Sequence, residues 1–313
     1  MKQPVVVITS KVLPRTQQIL ETEFDLRKLY DAADRAAFLK QQAPHARALA
    51  TFGPAGADAA LMDALPKLEL ISQFGVGVDS IDLAAAKKRG IIVTNTPDVL
   101  NDCVADTAMS LVLNVLRQFP QSENYLRAGY WATRGAYPLT TSVGGKVLGV
   151  LGLGRIGEAI ASRAAAFGMK IRYHNRNRKA VAYPYDADAV TLAKNSDVLL
   201  VVTPGGAETS KIVNAKVLDA LGPEGYVVNI SRGSTIDEPV LLAYLKDRRI
   251  AGAGLDVFEN EPAVDPQFFA LQNVVVYPHV ASATNETRFA MGMLQVENLR
   301  AHFAGKPVLT RVV

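Results

Sequence analysis

One segment leaves this chain little freedom of fold: GKVLGVLGLGRIGEAIASRAAAFG, residues 145–168. An apolar run that reads as a strand enters a glycine turn. A small-residue stretch that reads as a helix follows and stops at Gly168. Gly152, Gly154 and Gly157 stand in G-x-G-x-x-G spacing. The first glycine permits a tight turn, the second lets backbone approach a pyrophosphate, and the third lets the helix pack on the strand. The helix start at Arg155 and Ile156 then offers free N–H groups and a positive dipole end to an anion. The spacing alone is a weak signal; a strand before it and a helix after it give the context that makes it a dinucleotide fingerprint.

The rest of the chain repeats the strand–helix alternation. PVVVITS, ARALATFG, LELISQFG and GIIVTN read as strands of a first series. MKIRYHN, SDVLLVVTP, GYVVNISRG, IAGAGLDVF and NVVVYPHV continue a second. Apolar runs without strict alternation predict strands covered on both faces, hence parallel sheets with crossover helices. Between the series, TPDVLNDCVADTAMSLVLNVLRQFP predicts one long helix, capped by Asp98 and ended before Pro120. Residues 121–143 read as an irregular arm carrying the only tryptophan, Trp131. NETRFAMGMLQVENLRAHFAG predicts a final helix.

In a dinucleotide fold the second strand usually ends in an acid that accepts from the ribose 2′-hydroxyl of NAD, whereas an arginine there accommodates the 2′-phosphate of NADP. This chain has RYHNRNRK at residues 172–179, and its next acid is Asp186. Asn175 and Arg176, with Arg178 and Lys179 beside them, therefore predict NADPH as cofactor. A phosphate of about −1.5 to −2 charges would be repelled by an acid and can be gripped bidentately by a guanidinium.

Ligands of open α/β sheets gather at the carboxyl ends of strands. There the second series delivers Pro204, Arg232, Asp256 with Glu259 and Glu261 beyond it, and His279. Of four histidines, His45 and His302 lie in polar or amphipathic surroundings and His174 at the ribose end, so His279 is the candidate for proton transfer. Hydride transfer to a ketone makes an alkoxide that needs a proton, and histidine is the usual acid near working pH. A carboxylate such as Glu261 favours the imidazolium. Arginine can hold a carboxylate or polarise a carbonyl through its rigid fork.

Bulk properties exclude other classes. Of 313 residues, 49% are apolar and 20% charged, which describes an ordinary globular protein of about two domains. A net charge of only +4, with one dense basic run at Arg172 to Lys179, argues against nucleic acid as a partner. The single cysteine, Cys103, excludes an internal disulfide and a cysteine-based metal site, and no metal is expected. No run is long enough to span a membrane, the N-terminal apolar run is too short for a signal peptide, and a cytoplasmic protein is expected.

Taken together, FGVGVDSID, NTPDVLNDCVAD, GKVLGVLGLGRIG, NISRGSTIDEP, AGAGLDVFENEP and PHVASAT resemble the D-isomer-specific 2-hydroxyacid dehydrogenase family over nearly the whole chain. The resemblance implies two Rossmann-like doubly wound parallel-sheet domains with a cleft between them: 1–97 with 286–313 for the substrate, and 98–285 for the dinucleotide. It implies Arg232, Glu261 and His279 as the catalytic trio, and the interval of 29 residues from Arg232 selects Glu261 over Glu259. It places Asp256 near the nicotinamide carboxamide and a substrate carboxylate on the amides of Val76 and Gly77. It further implies a homodimer through the cofactor domain, with the long helix and the Trp131 arm as contacts. YHNRN, FGPAG beside Phe52 and LTTSVGGK are most similar to the NADPH-dependent glyoxylate/hydroxypyruvate reductases, and also to plant hydroxyphenylpyruvate reductases. The expected activity is reduction of small 2-oxo acids to D-2-hydroxy acids. Reduction of aromatic 2-oxo acids, or a dinucleotide-sensing interaction protein, are the alternatives.

Overall fold

The computed structural model describes residues 3–313, and the chain divides into two units, 1–100 with 284–313, and 101–283. These junctions fall a few residues from the expected 97/98 and 285/286. The first unit is a five-stranded parallel sheet of β1 (Val5–Ile8), β2 (Asp25–Lys28), β3 (Ala46–Phe52), β4 (Leu70–Phe74) and β5 (Ile92–Thr94), in the order β2-β1-β3-β4-β5. Its residues alternate between two cores. Val5 and Val7 pack with Leu49 and Ile71 on one face, while Val6 and Ile8 pack with Ala50 and Leu70 on the other. Both faces are covered, which explains why the strands read as unbroken apolar runs. The polar DLRK of β2 carries no such run and lies at the sheet edge, where a strand needs no second partner. The helix Asn285–Phe303 packs back on β4 of this unit.

The second unit is a six-stranded parallel sheet: β6 (Val147–Leu151), β7 (Lys170–His174), β8 (Val198–Val201), β9 (Tyr226–Asn229), β10 (Gly252–Leu255) and β11 (Val274–Val276). Its order is β11-β10-β9-β8-β6-β7, and a single parallel bridge from Tyr173 to Tyr185 extends it beyond β7. The chain thus winds outward from β6 through β7, then crosses back to place β8 on the other side of β6. The gap between β6 and β8 is the topological switch point where such sheets hold ligands. Parallel sheets are what the apolar runs predict, and their doubly wound order is what the family resemblance implies.

Two local expectations are corrected. The long helix runs Asn101–Arg117, starting after Asp98, which takes φ 69°. The arm is partly helical: Phe119–Arg127 and Tyr130–Arg134 are helices. Pro120 ends nothing here. Gln118, at φ 50°, breaks the helix before it, and proline fits the first turn of the next, where its missing N–H costs no hydrogen bond. Among the described residues no helix is long and apolar enough to cross a membrane, and no three His, Cys, Asp or Glu side chains group as a metal site.

Candidate active site

At the switch point, Gly152 follows β6 with φ 106°, a conformation that favours glycine. A Cβ there would lie 2.9 Å from the backbone of Val202 and Thr203. A Cβ on Gly157 would lie 2.6 Å from the Gly152 carbonyl oxygen, so helix Arg155–Ala166 sits directly on the turn. Gly154 differs, since nothing lies within 4 Å of the position its Cβ would take. The helix starts there with no side-chain hydrogen bond from its N-cap residue. Beside the glycine turn the hydroxyl of Thr203 is buried with no hydrogen-bond partner among the described residues. An uncapped helix start, an open glycine face and an orphaned hydroxyl fit the pyrophosphate of a dinucleotide.

Beyond β7 the chain is built to hold its basic turn. Asn175 accepts from the Leu153 amide at 2.6 Å and donates to the Leu153 carbonyl at 3.2 Å, tying the turn to the glycine loop. The hydroxyl of the fully buried Tyr173 accepts from the Lys179 amide and donates to its carbonyl, each at 3.0 Å. Asp186 is not at the ribose position. It is buried, and it binds Arg172 through two hydrogen bonds of 2.7 and 2.9 Å and accepts a third from Asn195. Of the basic run, Arg172 is thereby neutralised inside. Arg176 lies outside, 79% exposed, and Arg178 lies over the Tyr185 ring at 5.8 Å. Pro204, exposed at the end of β8, accepts from Thr209 at 2.6 Å.

The next three strands position the ionisable groups. After β9, the Asn229 side chain accepts from the amide and hydroxyl of Ser231 and donates to the carbonyl of Arg232. Thr235 donates to the same carbonyl at 2.6 Å. This buried polar knot fixes the turn that presents Arg232. Gly233 lets it dock: a Cβ there would lie 1.9 Å from the carbonyl carbon of Phe258, so only glycine allows the turn to touch the segment leading to Glu261. That segment is tied in turn by Glu238, which accepts from the Glu259 amide at 2.9 Å, and by Glu261, which accepts from the Phe258 amide at 2.9 Å.

Glu261 Oε2 lies 2.7 Å from Nδ1 of His279. Burial works against the charged Glu261 carboxyl, but the hydrogen bonds from His279 and Phe258 and the nearby Arg232 charge outweigh it, holding the group below the usual carboxylate range. His279 takes φ 53°, left-handed for a non-glycine residue. The fully buried Asp256, directly after β10, over-determines that turn. Its carbonyl accepts from the His279 amide, and its carboxylate accepts from the amides of Val280 and Ala281, at 2.8 to 2.9 Å. Burial pushes the Asp256 carboxyl up, against the lowering pull of those two amides. A left-handed histidine held by a buried carboxylate is the kind of strained residue that clusters at functional sites.

In the first unit, the loop after β4 carries Val76 and Gly77. Asn95 donates to the Val76 carbonyl at 2.8 Å, and Thr96 accepts from the Gly75 amide at 2.9 Å. The amides of Val76 and Gly77 make no hydrogen bond to other described residues. Phe52, at the end of β3, packs on Phe74 with ring centroids 5.1 Å apart, and Arg288 lies 5.5 and 5.7 Å over the two rings. Asn229, Ser231, Gly233 and Thr235 were not picked out as functional by sequence reasoning. The signal of Asn229, Ser231 and Thr235 is polar side chains at the end of an apolar strand, and that of Gly233 is a glycine inside this polar turn.

Fold and site define a nicotinamide-dinucleotide-binding α/β oxidoreductase. Residues 109–281 match the model of the D-isomer specific 2-hydroxyacid dehydrogenase NAD binding domain. The hydroxyphenylpyruvate reductase of Plectranthus scutellarioides is 49% identical over 95% of each chain. Glyoxylate/hydroxypyruvate reductase A of Arabidopsis thaliana is 48% identical over 94% of each. The structure of an NADPH-dependent glyoxylate/hydroxypyruvate reductase from Sinorhizobium meliloti, in complex with NADP and malonate, is 46% identical and superposes with a TM-score of 0.94. It covers 100% of this chain and 97% of its own. The chain belongs to the D-isomer-specific 2-hydroxyacid dehydrogenase family.

Proposed function

We propose that this protein reduces small 2-oxo acids, glyoxylate and hydroxypyruvate among them, to D-2-hydroxy acids with NADPH. The observation that carries the reading is the 2.7 Å contact of Glu261 with a left-handed His279, beyond the carboxyl ends of the same parallel strands as the glycine turn. The dihydronicotinamide, when bound, supplies a hydride. With Nδ1 engaged by Glu261, the Nε2 of His279 is the ring nitrogen that gives its proton to the oxygen of the former carbonyl. Glu261 stays ionised and stabilises the imidazolium before that transfer. Arg232 orients the substrate through its fork, and the amides of Val76 and Gly77 take its carboxylate. Phe52 lines the substrate loop. Asp256 holds the His279 turn, and the family resemblance would place it near the nicotinamide carboxamide. Gly152, Gly154, Arg155, Ile156 and Gly157 would receive the pyrophosphate. Asn175, Arg176 and Pro204 would border the adenosine, where an exposed guanidinium in place of an acid favours the 2′-phosphate.

Initial rates on glyoxylate, hydroxypyruvate and hydroxyphenylpyruvate, each with NADPH and with NADH, test this reading. Higher kcat/KM for the small acids with NADPH supports it. A clear win for hydroxyphenylpyruvate would move the substrate to the aromatic class, and a clear win for NADH would sink the reading of Arg176.

The carboxylate of Glu261 sets a pH signature. Its pKa lies below the ordinary 4.5, so its contribution to the site and to stability is complete above pH 4.5 and is lost only as pH falls through that lower value. Glu261→Gln, which removes the carboxylate that partners His279 Nδ1, should lower kcat/KM by roughly 10- to 100-fold in steady-state kinetics, the scale of losing a hydrogen bond to a charged group. An unchanged kcat/KM would detach Glu261 from the proton donor.

We also propose a homodimer through the second unit. Its arm exposes Phe119, Leu126 and Trp131, 45, 56 and 65% accessible, on helices that bury nothing of their own. Such a patch marks an interaction surface. Light scattering should give twice the chain mass, and Leu126→Asp should yield monomer.

A further inference from the structure

The basic turn beyond β7 already holds a partner. Arg176 Nη1 lies 2.5 Å from Oε2 of Glu208, in the short turn Ala207–Thr209 that follows β8. Both side chains are nearly fully in solvent, 79 and 78% exposed. The pair therefore stabilises the fold little, because solvent and salt screen it. A second acid also pairs with the turn. Glu158, in the first turn of the phosphate-facing helix, pairs with Lys179. So one cation of the turn neutralises an acid that would otherwise face an incoming phosphate, while the cation best placed to meet that phosphate is itself held by Glu208. Arg178 lies over the Tyr185 ring and has no ion-pair partner among the described residues.

We infer that Glu208 is a selectivity residue: it competes with the 2′-phosphate of NADPH for Arg176, so binding NADPH exchanges one carboxylate partner of the guanidinium for a phosphate. The inference rests on the NADPH reading above. It adds that the chain limits its own preference for the phosphorylated cofactor through a residue some thirty positions from the basic turn. A phosphate of about −1.5 to −2 charges outcompetes a single carboxylate on a guanidinium. It must still displace Glu208 and then stand near it, two like charges a few ångströms apart. A cofactor without the 2′-phosphate leaves the Arg176–Glu208 pair in place.

The sign of this effect separates it from a structural role. If Glu208 served to hold Arg176 in position, its removal would weaken binding of the phosphorylated ligand. If Glu208 competes, its removal strengthens it. Calorimetry with adenosine 2′,5′-bisphosphate and with 5′-AMP reads this without turnover. Glu208→Gln should tighten the bisphosphate roughly 3- to 10-fold and leave 5′-AMP within about twofold. The gain should shrink in 1 M salt, where the Debye length is about 3 Å. In an Arg176→Gln background the gain should disappear, since there is nothing left to compete for. A bisphosphate affinity unchanged or weakened by Glu208→Gln, or a gain that survives loss of Arg176, overturns the inference and leaves the NADPH reading standing. A wild-type protein that binds the bisphosphate no more tightly than 5′-AMP overturns the NADPH reading itself, and this inference with it.

Discussion

Replacing His279 with alanine should lower kcat for 2-oxo acid reduction by about 10²–10⁴-fold, the range that a positioned general acid contributes, while NADP affinity stays within about twofold. The split follows from where His279 stands. Its side chain is 44% exposed and its polar partner is Glu261, so its removal opens no cavity and touches neither the glycine turn nor the basic turn. The backbone pins, from the His279 amide to the Asp256 carbonyl and from Val280 and Ala281 to the Asp256 carboxylate, do not involve the ring and persist in the variant. One complication is the left-handed backbone, which alanine tolerates no better than histidine. His279→Asn controls for it, because asparagine enters that region more easily yet cannot donate a proton as an acid. Both variants should lose kcat alike. Steady-state kinetics with fluorescence titration of NADP reads both quantities. A His279→Ala protein with full turnover would remove His279 from the chemistry.

The sequence is legible where one residue type answers one physical demand. Gly152 and Gly157 sit where a Cβ would strike backbone, and unbroken apolar strands report sheets covered on both faces. It is less legible where a contact joins distant segments. Nothing in RYHNRNRK announces that Arg172 turns inward to a buried Asp186, or that Arg176 meets Glu208 after the next strand. The absence of an acid at the ribose position is visible in sequence, but the acids that neighbour it in space are not. Asn175 is a similar case. Its place beside the ribose is expected from the strand end, yet its amide is engaged with Leu153 of the glycine loop. The edge strand β2 and the helices of the arm escape pattern reading for another reason. β2 is short and polar, so it offers no apolar run to read, and the arm's helices are interrupted by Gly129 and Gly135 and bury none of their residues within the described chain.

Gly233 offers the other large effect, because it joins the Arg232 turn and the Glu261 segment through bare backbone. A Cβ there would lie 1.9, 2.1 and 2.2 Å from the carbonyl carbon and oxygen of Phe258 and the amide nitrogen of Glu259. These are main-chain atoms of a turn tied down by Glu238 and Glu261, so no side-chain rotation can make room. Gly233→Ala should therefore force the Arg232 turn and the Glu261 turn apart by an ångström or more. Overpacking of this kind costs about 3 kcal/mol or more, and for a unit of this size lowers its unfolding midpoint by roughly 10 °C. Activity should fall further than stability. At temperatures where the variant is folded, kcat/KM should drop about 10²-fold, the scale expected when catalytic groups are misplaced by about an ångström. The matched control is Gly154→Ala. Nothing lies within 4 Å of its Cβ position and its φ of −89° suits alanine, so the protein should fold with an unchanged midpoint. Its cost should fall on dinucleotide affinity alone, since the added methyl occupies the open face above the helix start. Thermal unfolding followed by circular dichroism, with kinetics on both variants, separates the two glycines: one spaces the Arg232 and Glu261 turns, the other keeps the approach to the helix clear. Equal midpoints for Gly233→Ala and wild type would show that the turns can part without strain, and that Arg232 and Glu261 do not depend on this contact.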